Sequence, residues 1–473
     1  MKVLFIYFEM GIQVYNPLGI GYISSLLKEN NHQVSLIRVH KEKGMDKLAN
    51  IIKRVKPDIV AFSYVSSFSH LVKELSFKIK KSLNVLIAAG GIHPTIKPEG
   101  VLKDSAIDFV CVGEGEYAFL ELLTKLQKKE DLTNINNVWT KNALQIFKNP
   151  VRGFVDLDKL PAPDIDLFYK SPKEVKRLTL MTQRGCPYNC AYCCNDYLNR
   201  LYKGKGKTIR SQSLDKVMAE IDTFVNKYPN LKWIHFEDDT FTLDKERVFQ
   251  FCSMYKKKFN VPFSINSRPE LISIDIAEVL EEAGCRRVCI GIESGDEDFR
   301  KKYLKRMMSN SDIKRAFRVL EQVGIPARGY LIYGFPREKE ENMRNSYNLL
   351  KEISPSDGSQ VSVFCPFPKT SLYEIADNDG LLQKTETMPS YNKETTLCFS
   401  KENKEIIKKY YELSESIHHN SNNDIVFLKQ FYPFLVLPYK LFSKIIEPKV
   451  LWRFMYRTKT NHLRRAFTFK PGW

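Results

Sequence analysis

Two successive series of short apolar runs, each run followed by an amphipathic stretch, constrain the architecture of this 473-residue chain more than any other feature. In the first series the runs are Val3–Phe8, Val34–Val39, Ile59–Ser63, Val85–Ala89 and Phe109–Val112, with helix-like stretches such as Gly19–Lys28 and Glu116–Lys128 between and after them. Each run is short and rich in Val, Ile, Leu and Phe, the pattern of a strand in a parallel, doubly wound α/β sheet. A polar stretch punctuated by proline, Leu157-Asp158-Lys159-Leu160-Pro161-Ala162-Pro163-Asp164, marks a linker. The second series has strands at Arg177–Thr182, Trp233–Phe236, Phe263–Asn266, Arg287–Ile292, Ala327–Ile332 and Gln360–Phe364, with helices such as Ser213–Tyr228, Lys245–Lys258 and Asp312–Val323. Six strand–helix units predict a partial barrel rather than a closed eightfold one. The domains expected are 1–135, a linker over 136–170, a barrel over 171–390, and a mostly helical, basic region over 391–473.

The sharpest local motif follows the first barrel strand: Arg184-Gly185-Cys186-Pro187-Tyr188-Asn189-Cys190-Ala191-Tyr192-Cys193, a CxxxCxxC triad. Three thiolates on one tight loop can hold three irons of a four-iron cluster and leave one iron open. A structural zinc site usually draws four ligands from two Cys-x-x-Cys knuckles, and no second knuckle is present. Cys194 follows directly, and its side chain is expected to point away from the metal. Tyr192 is placed for its ring to pack on a planar nucleobase held at the open iron.

Ligands of parallel sheets bind at the carboxyl ends of the strands, and here those ends are rich in glycine and polar residues. In the first series they carry Asn16-Pro17-Leu18-Gly19-Ile20-Gly21-Tyr22, Ser63-Tyr64-Val65-Ser66-Ser67, Gly90-Gly91-Ile92-His93-Pro94 and Gly113-Glu114-Gly115-Glu116. In the second they carry Glu237-Asp238-Asp239, Ser267-Arg268, Gly291-Ile292-Glu293-Ser294-Gly295 and Tyr333-Gly334-Phe335-Pro336.

Over about residues 2–375 this arrangement resembles the cobalamin-dependent radical S-adenosylmethionine (SAM) enzymes: a flavodoxin- or Rossmann-like cobalamin-binding domain followed by a (β/α)6 TIM-like barrel. The resemblance implies a [4Fe-4S] cluster on Cys186, Cys190 and Cys193, with Tyr192 stacking on SAM. It assigns the SAM amino group to the acidic motif Glu237-Asp238-Asp239, the SAM carboxylate to Ser267-Arg268, the ribose hydroxyls to Glu293 and Ser294, and the approach to the adenine to Gly334. Cobalamin would lie against Ser63, Gly90, Gly91, His93, Glu114 and Gly115. The motif Asp-x-His-x-x-Gly is missing after the first strand, and His40 in Arg38-Val39-His40-Lys41 lacks the aspartate. Cobalamin is therefore expected with its own base displaced and without a histidine ligand. The activity implied is methyl transfer to an unactivated carbon through a 5′-deoxyadenosyl radical and methylcobalamin, a methyltransferase reaction. Alternatives are a cobalamin-dependent ring-forming, ring-contracting or oxidising enzyme, and a tRNA-modifying radical SAM enzyme without cobalamin.

Ten cysteines without a regular framework, and an N-terminus that runs straight into a strand, suit a reducing, cytoplasmic setting. The net charge of +18 is uneven. Residues 425–473 hold ten Lys and Arg against the single acid Glu447, interleaved with aromatic and aliphatic residues and broken by Pro433 and Pro438. Its apolar run, broken by those prolines and interrupted by Lys429, falls short of the roughly 20 residues needed to cross a bilayer. It suits helices packed on the barrel or a peripheral contact at the inner face of the membrane. The expected partners are a small-molecule or lipid-like substrate and an electron donor such as flavodoxin or ferredoxin, with nucleic acid disfavoured.

Overall fold

The computed structural model describes residues 1–9, 16–40, 44–383 and 394–417. The first sheet holds β1 (Lys2–Phe8), β2 (Gln33–Val39), β3 (Ile59–Ser63), β4 (Leu86–Gly90) and β5 (Phe109–Cys111), all parallel, with β6 (Val138–Lys141) and β7 (Ile146–Phe147) added antiparallel at one edge. Its order is β2-β1-β3-β4-β5-β6-β7. The uninterrupted apolar runs follow from burial on both faces. In β1, Leu4, Ile6 and Phe8 join Val60 and Phe62 in one core, whereas Val3 and Phe5 join Ile59 and Ala61 in the core on the other side.

The linker expectation needs correction at its start. Residues 138–147 complete the sheet, because Asn137 caps β5 and β6 by donating to the carbonyl of Val112 while accepting from the amide of Arg152. Sequence missed these two strands because they are short and polar at their ends.

The second sheet comprises β8 (Arg177–Leu180), β11 (Trp233–Phe236), β12 (Phe263–Ser267), β13 (Cys285–Glu293), β14 (Ala327–Tyr333) and β15 (Ser359–Val363), and a short antiparallel ribbon pairs β9 (Gln183–Arg184) with β10 (Arg210–Ser211). All six strands of the sheet are parallel, in the order β15-β14-β13-β12-β11-β8, a half-barrel with helices on its outer face.

An open parallel sheet leaves edge strands that need cover. The helix Lys401–Ile417 covers the β15 side, burying Ile407, Tyr410 and Tyr411, and Ser414 shares a 2.7 Å hydrogen bond with the Tyr333 hydroxyl. Burial of side chains of this size stabilises by roughly 1.5–3 kcal/mol each. The basic stretch 425–473 lies outside the described residues. Among the described residues no helix is long and apolar enough to cross a membrane.

Candidate functional site

Two cavities meet where the carboxyl ends of the two sheets face each other. The first, about 390 Å³, opens beside β1 and β3, where the strand order reverses. Its walls are apolar side chains from β1, β3 and β4, including Phe5, Phe62 and Ala89, together with Ser63, Gly90, Gly91, Glu114 and Gly115. Gly91 has φ +91°, and an added Cβ would stand 2.8 Å from the Tyr64 amide nitrogen, so only glycine lets the chain turn there. At Gly19, by contrast, an added Cβ meets nothing within 4 Å and would project into open space on the cavity wall. The apolar walls and the bare backbone fit a large flat cofactor with a nucleotide tail.

Glu114 has a second task. It pairs with Arg184 at 3.3 Å and Arg210 at 2.7 Å and accepts from the Val155 amide, while Arg184 also pairs with Glu116 at 2.7 Å. Because Arg184 stands two residues before Cys186, this half-buried network ties the cysteine loop to the first domain.

His93 is placed differently from expectation. Its Nδ1 lies 2.9 Å from the Ser66 Oγ, its ring packs on Tyr64, and it lines a separate cavity of about 670 Å³. Burial lowers its pKa to about 4, so the ring is neutral. Among the described residues the lining of the first cavity includes no histidine.

The second cavity, about 420 Å³, lies at the top of the half-barrel. Cys186, Cys190 and Cys193 share its wall with Tyr192, Glu237, Ser267, Arg268 and Glu293. None of the three cysteines forms a disulfide. Burial pushes the Cys186 thiol up to about 11, so metal binding must displace its proton. Cys193 is raised by a hydrogen bond with Cys194 and by burial, and Cys194 is correspondingly lowered.

Two buried guanidiniums aim at the Cys190 sulfur, Arg268 at 3.6 Å and Arg306 at 3.7 Å. Two cations beside one thiol suit an anionic iron–sulfur–thiolate assembly. Among the described residues no three His, Cys, Asp or Glu side chains gather closely enough for a single metal ion. A cluster asks for another spread, one thiolate per iron, and three thiols on one cavity wall provide it.

Arg306 was not foreseen, because it follows the helix Glu297–Leu304 in a stretch without a motif. It donates to the Gly291 carbonyl at 2.6 Å and to the Tyr192 hydroxyl at 3.2 Å, and lies 4.0 Å from Glu293. Glu293 closes β13 with φ +67°, beyond a register shift against β14, a strained position of the kind that collects at functional sites. Burial raises its pKa, and Arg306 opposes the rise. Arg268 also stacks 3.6 Å over the Tyr188 ring and donates to Glu270. Glu237 is paired with His235 at 3.0 Å, and the Ser267 hydroxyl is 2.5 Å from that of Thr242.

Three expected contacts fall away from the cavity. Asp238 is fully buried and accepts from the Thr182 amide and hydroxyl and the Gln183 amide at 2.6–3.1 Å, so it anchors the approach to the cysteine loop, while its neighbour Asp239 faces the cavity. Ser294 turns to Ser346, with the hydroxyls 3.3 Å apart. Gly334 donates to Glu338 at 2.6 Å, and an added Cβ would press on Ile407 at 3.2 Å. In each case the next packed element captures the group.

A model of the radical SAM superfamily matches residues 180–350, and a model of the B12 binding domain matches residues 13–123. The chain is 31% identical over 379 residues to a protein of Pyrococcus horikoshii named uncharacterized methyltransferase PH0819, covering 77% of this chain and 79% of that one. It is 25% identical over 403 residues to the anaerobic magnesium-protoporphyrin IX monomethyl ester cyclase of Rubrivivax gelatinosus, covering 79% and 70%. The fold matches that of OxsB, a cobalamin-dependent SAM radical enzyme solved with aqua-cobalamin, with a TM-score of 0.68 at 18% identity over 99% of this chain and 76% of that one. The B12 binding match sets aside the reading without cobalamin. With the glycine-lined cavity and the three-thiol wall facing each other, these matches establish that the chain belongs to the cobalamin-dependent radical SAM family, enzymes that work with a [4Fe-4S] cluster, S-adenosyl-L-methionine and cobalamin.

Proposed function

We propose that this enzyme is a methyltransferase acting on an unactivated carbon of a small-molecule or lipid-like substrate, with electrons from a flavodoxin- or ferredoxin-like donor. The observation that carries this reading is the shared wall of the two cavities, which brings the cobalamin side beside the cluster side. When bound, the cofactors supply a transferable methyl group and a 5′-deoxyadenosyl radical. The chain's part is placement. Arg268 and Arg306 set positive charge beside Cys190, Tyr192 offers an aromatic wall, and Glu293 presents a buried carboxyl. The hydrogen removed from substrate leaves as an atom, so no side-chain base is required. The methyltransferase name of the Pyrococcus horikoshii relative supports this reading. The Rubrivivax gelatinosus cyclase supports a second one, ring formation or oxidation on the same frame.

The test is an anaerobic incubation of reconstituted protein with SAM, cobalamin, a low-potential reductant and host extract, separated into aqueous and lipid fractions. Comparable, fraction-dependent yields of 5′-deoxyadenosine and S-adenosylhomocysteine, with a product heavier by one methylene, are expected. Fraction-dependent 5′-deoxyadenosine without S-adenosylhomocysteine would overturn methyl transfer in favour of the second reading.

A further inference from the structure

Asn195 and Asp239 line both cavities, and among the described residues they alone do so. Each is held in place by its own element. Asn195 stands in the first turn of the helix Cys194–Leu201, which is pinned at both ends of the junction: Asn199 donates to the Cys186 carbonyl at 3.0 Å, and Tyr197 donates to the Thr95 carbonyl of the first domain at 3.4 Å. Asp239 follows Asp238, whose three hydrogen bonds fix that loop against the residues after β8. The two side chains are hydrogen-bonding neighbours. Asp239 is exposed although it lies between two domains, because its surface faces the cavities. The partition between the two cofactor cavities is thus one short side chain thick on either side, and it is set on a rigid frame.

We propose that the Asn195–Asp239 pair is the passage between the two cavities, and that the size of the side chain at position 195 governs transfer of the methyl carbon across it. The proposal rests on the methyl-transfer reading given above. The transfer breaks the sulfonium sulfur–methyl bond of SAM, whose electron pair stays on sulfur as S-adenosylhomocysteine. Bound cobalamin would accept the methyl carbon through the electron pair of its reduced cobalt; passing that methyl on to a substrate carbon radical would leave the cobalt one electron short of the reduced state, and a low-potential one-electron donor would supply that electron. The reacting atoms must approach along a line, and an obstruction of about 1 Å at such an approach is enough to cost orders of magnitude in rate. Asn195 and Asp239 act as positioning residues, by the room they leave.

The experiment compares Asn195→Ala, Asn195→Leu and Asn195→Phe in the full chain, with cluster and cobalamin reconstituted and no substrate added. Transfer of a deuterated methyl label from SAM to the corrinoid is followed by mass spectrometry. Iron content, cobalamin Kd by fluorescence titration, and 5′-deoxyadenosine yield are measured beside it. The label transfer rate should fall in the order Ala, Leu, Phe, with Asn195→Phe about tenfold or more below Asn195→Ala, while iron content and cobalamin Kd agree between variants within about twofold. If Asn195→Phe does not fold, the Ala-to-Leu ratio carries the same test.

Equal transfer in the small and the bulky variants overturns the passage and leaves the methyltransferase reading standing. So does a loss of transfer that follows the loss of cobalamin binding, which would mark Asn195 as structural. Unaltered protein that cleaves SAM yet places no label on the corrinoid overturns both.

Discussion

Replacing Asp238 by asparagine tests whether this acid anchors the cysteine loop or serves the cofactor. Its carboxylate is fully buried and holds the Thr182 amide at 2.6 Å, the Thr182 hydroxyl at 2.7 Å and the Gln183 amide at 3.1 Å. Burial, only partly opposed by these hydrogen bonds, raises its pKa to about 6 from an ordinary 3.8. In the unfolded chain the carboxyl ionises near the lower value, so between the two the native state binds more protons and stability falls as pH rises. At roughly 1.36 kcal/mol per pKa unit the whole window is worth about 3 kcal/mol, and the part between pH 4.5 and 7 about 2 kcal/mol. Asp238→Asn does not titrate. It offers one acceptor oxygen where there were two, so the Thr182 hydroxyl must turn to accept from the new amide and loses its own acceptor, which costs about 1–3 kcal/mol. The variant is therefore expected to be the less stable protein at pH 4.5, and the gap to the unaltered chain should close by about 2 kcal/mol at pH 7. Urea unfolding of the metal-free protein, followed by circular dichroism at pH 4.5, 5.5 and 7, measures that gap. A gap that stays constant or widens with pH would refute the argument from burial.

Other perturbations have equally definite outcomes. Gly185→Ala places a Cβ 2.1 Å from the Thr208 carbonyl oxygen at φ +94°, so reconstituted protein should hold less than about half the iron of the unaltered chain at unchanged helix content; full iron loading would count against it. Arg306→Met strands the buried Glu293 carboxyl and should cost about 3–5 kcal/mol in urea unfolding, and a loss under about 1 kcal/mol would show that the pair is not coupled. Burial raises Glu338 to about 8 while it accepts from the Gly334 and Phe335 amides, so its contribution is present at low pH and is lost as pH rises from the ordinary carboxyl range toward 8. Glu338→Gln keeps an acceptor and should remove that slope from stability measured between pH 5 and 8.

The parallel strands of both sheets and the cluster loop were readable from residue order alone because their causes are local. A strand buried on both faces needs an unbroken apolar run, as Val3 and Phe5 on one side and Leu4 and Ile6 on the other illustrate. A loop that presents three thiols to one cavity needs only its own spacing. Strand ends supplied Arg268 and Glu293 for the same reason, since the end of a parallel strand points to the site whatever surrounds it.

What tertiary structure decided was the partner of each loop side chain. Asp238 and Asp239 are chemically alike and adjacent, yet one turns inward to Thr182 and the other faces two cavities. His93 is taken by Ser66, Ser294 by Ser346, and Gly334 by the packing of Ile407, each from an element distant in the chain. Arg306 reaches Cys190 across more than a hundred residues, and Asn195 meets Asp239 because the helix after the cysteine loop packs beside the loop that follows β11. Periodicity and strand ends are properties of neighbouring residues, whereas the direction of a loop side chain is set by whichever distant donor or surface satisfies it when buried.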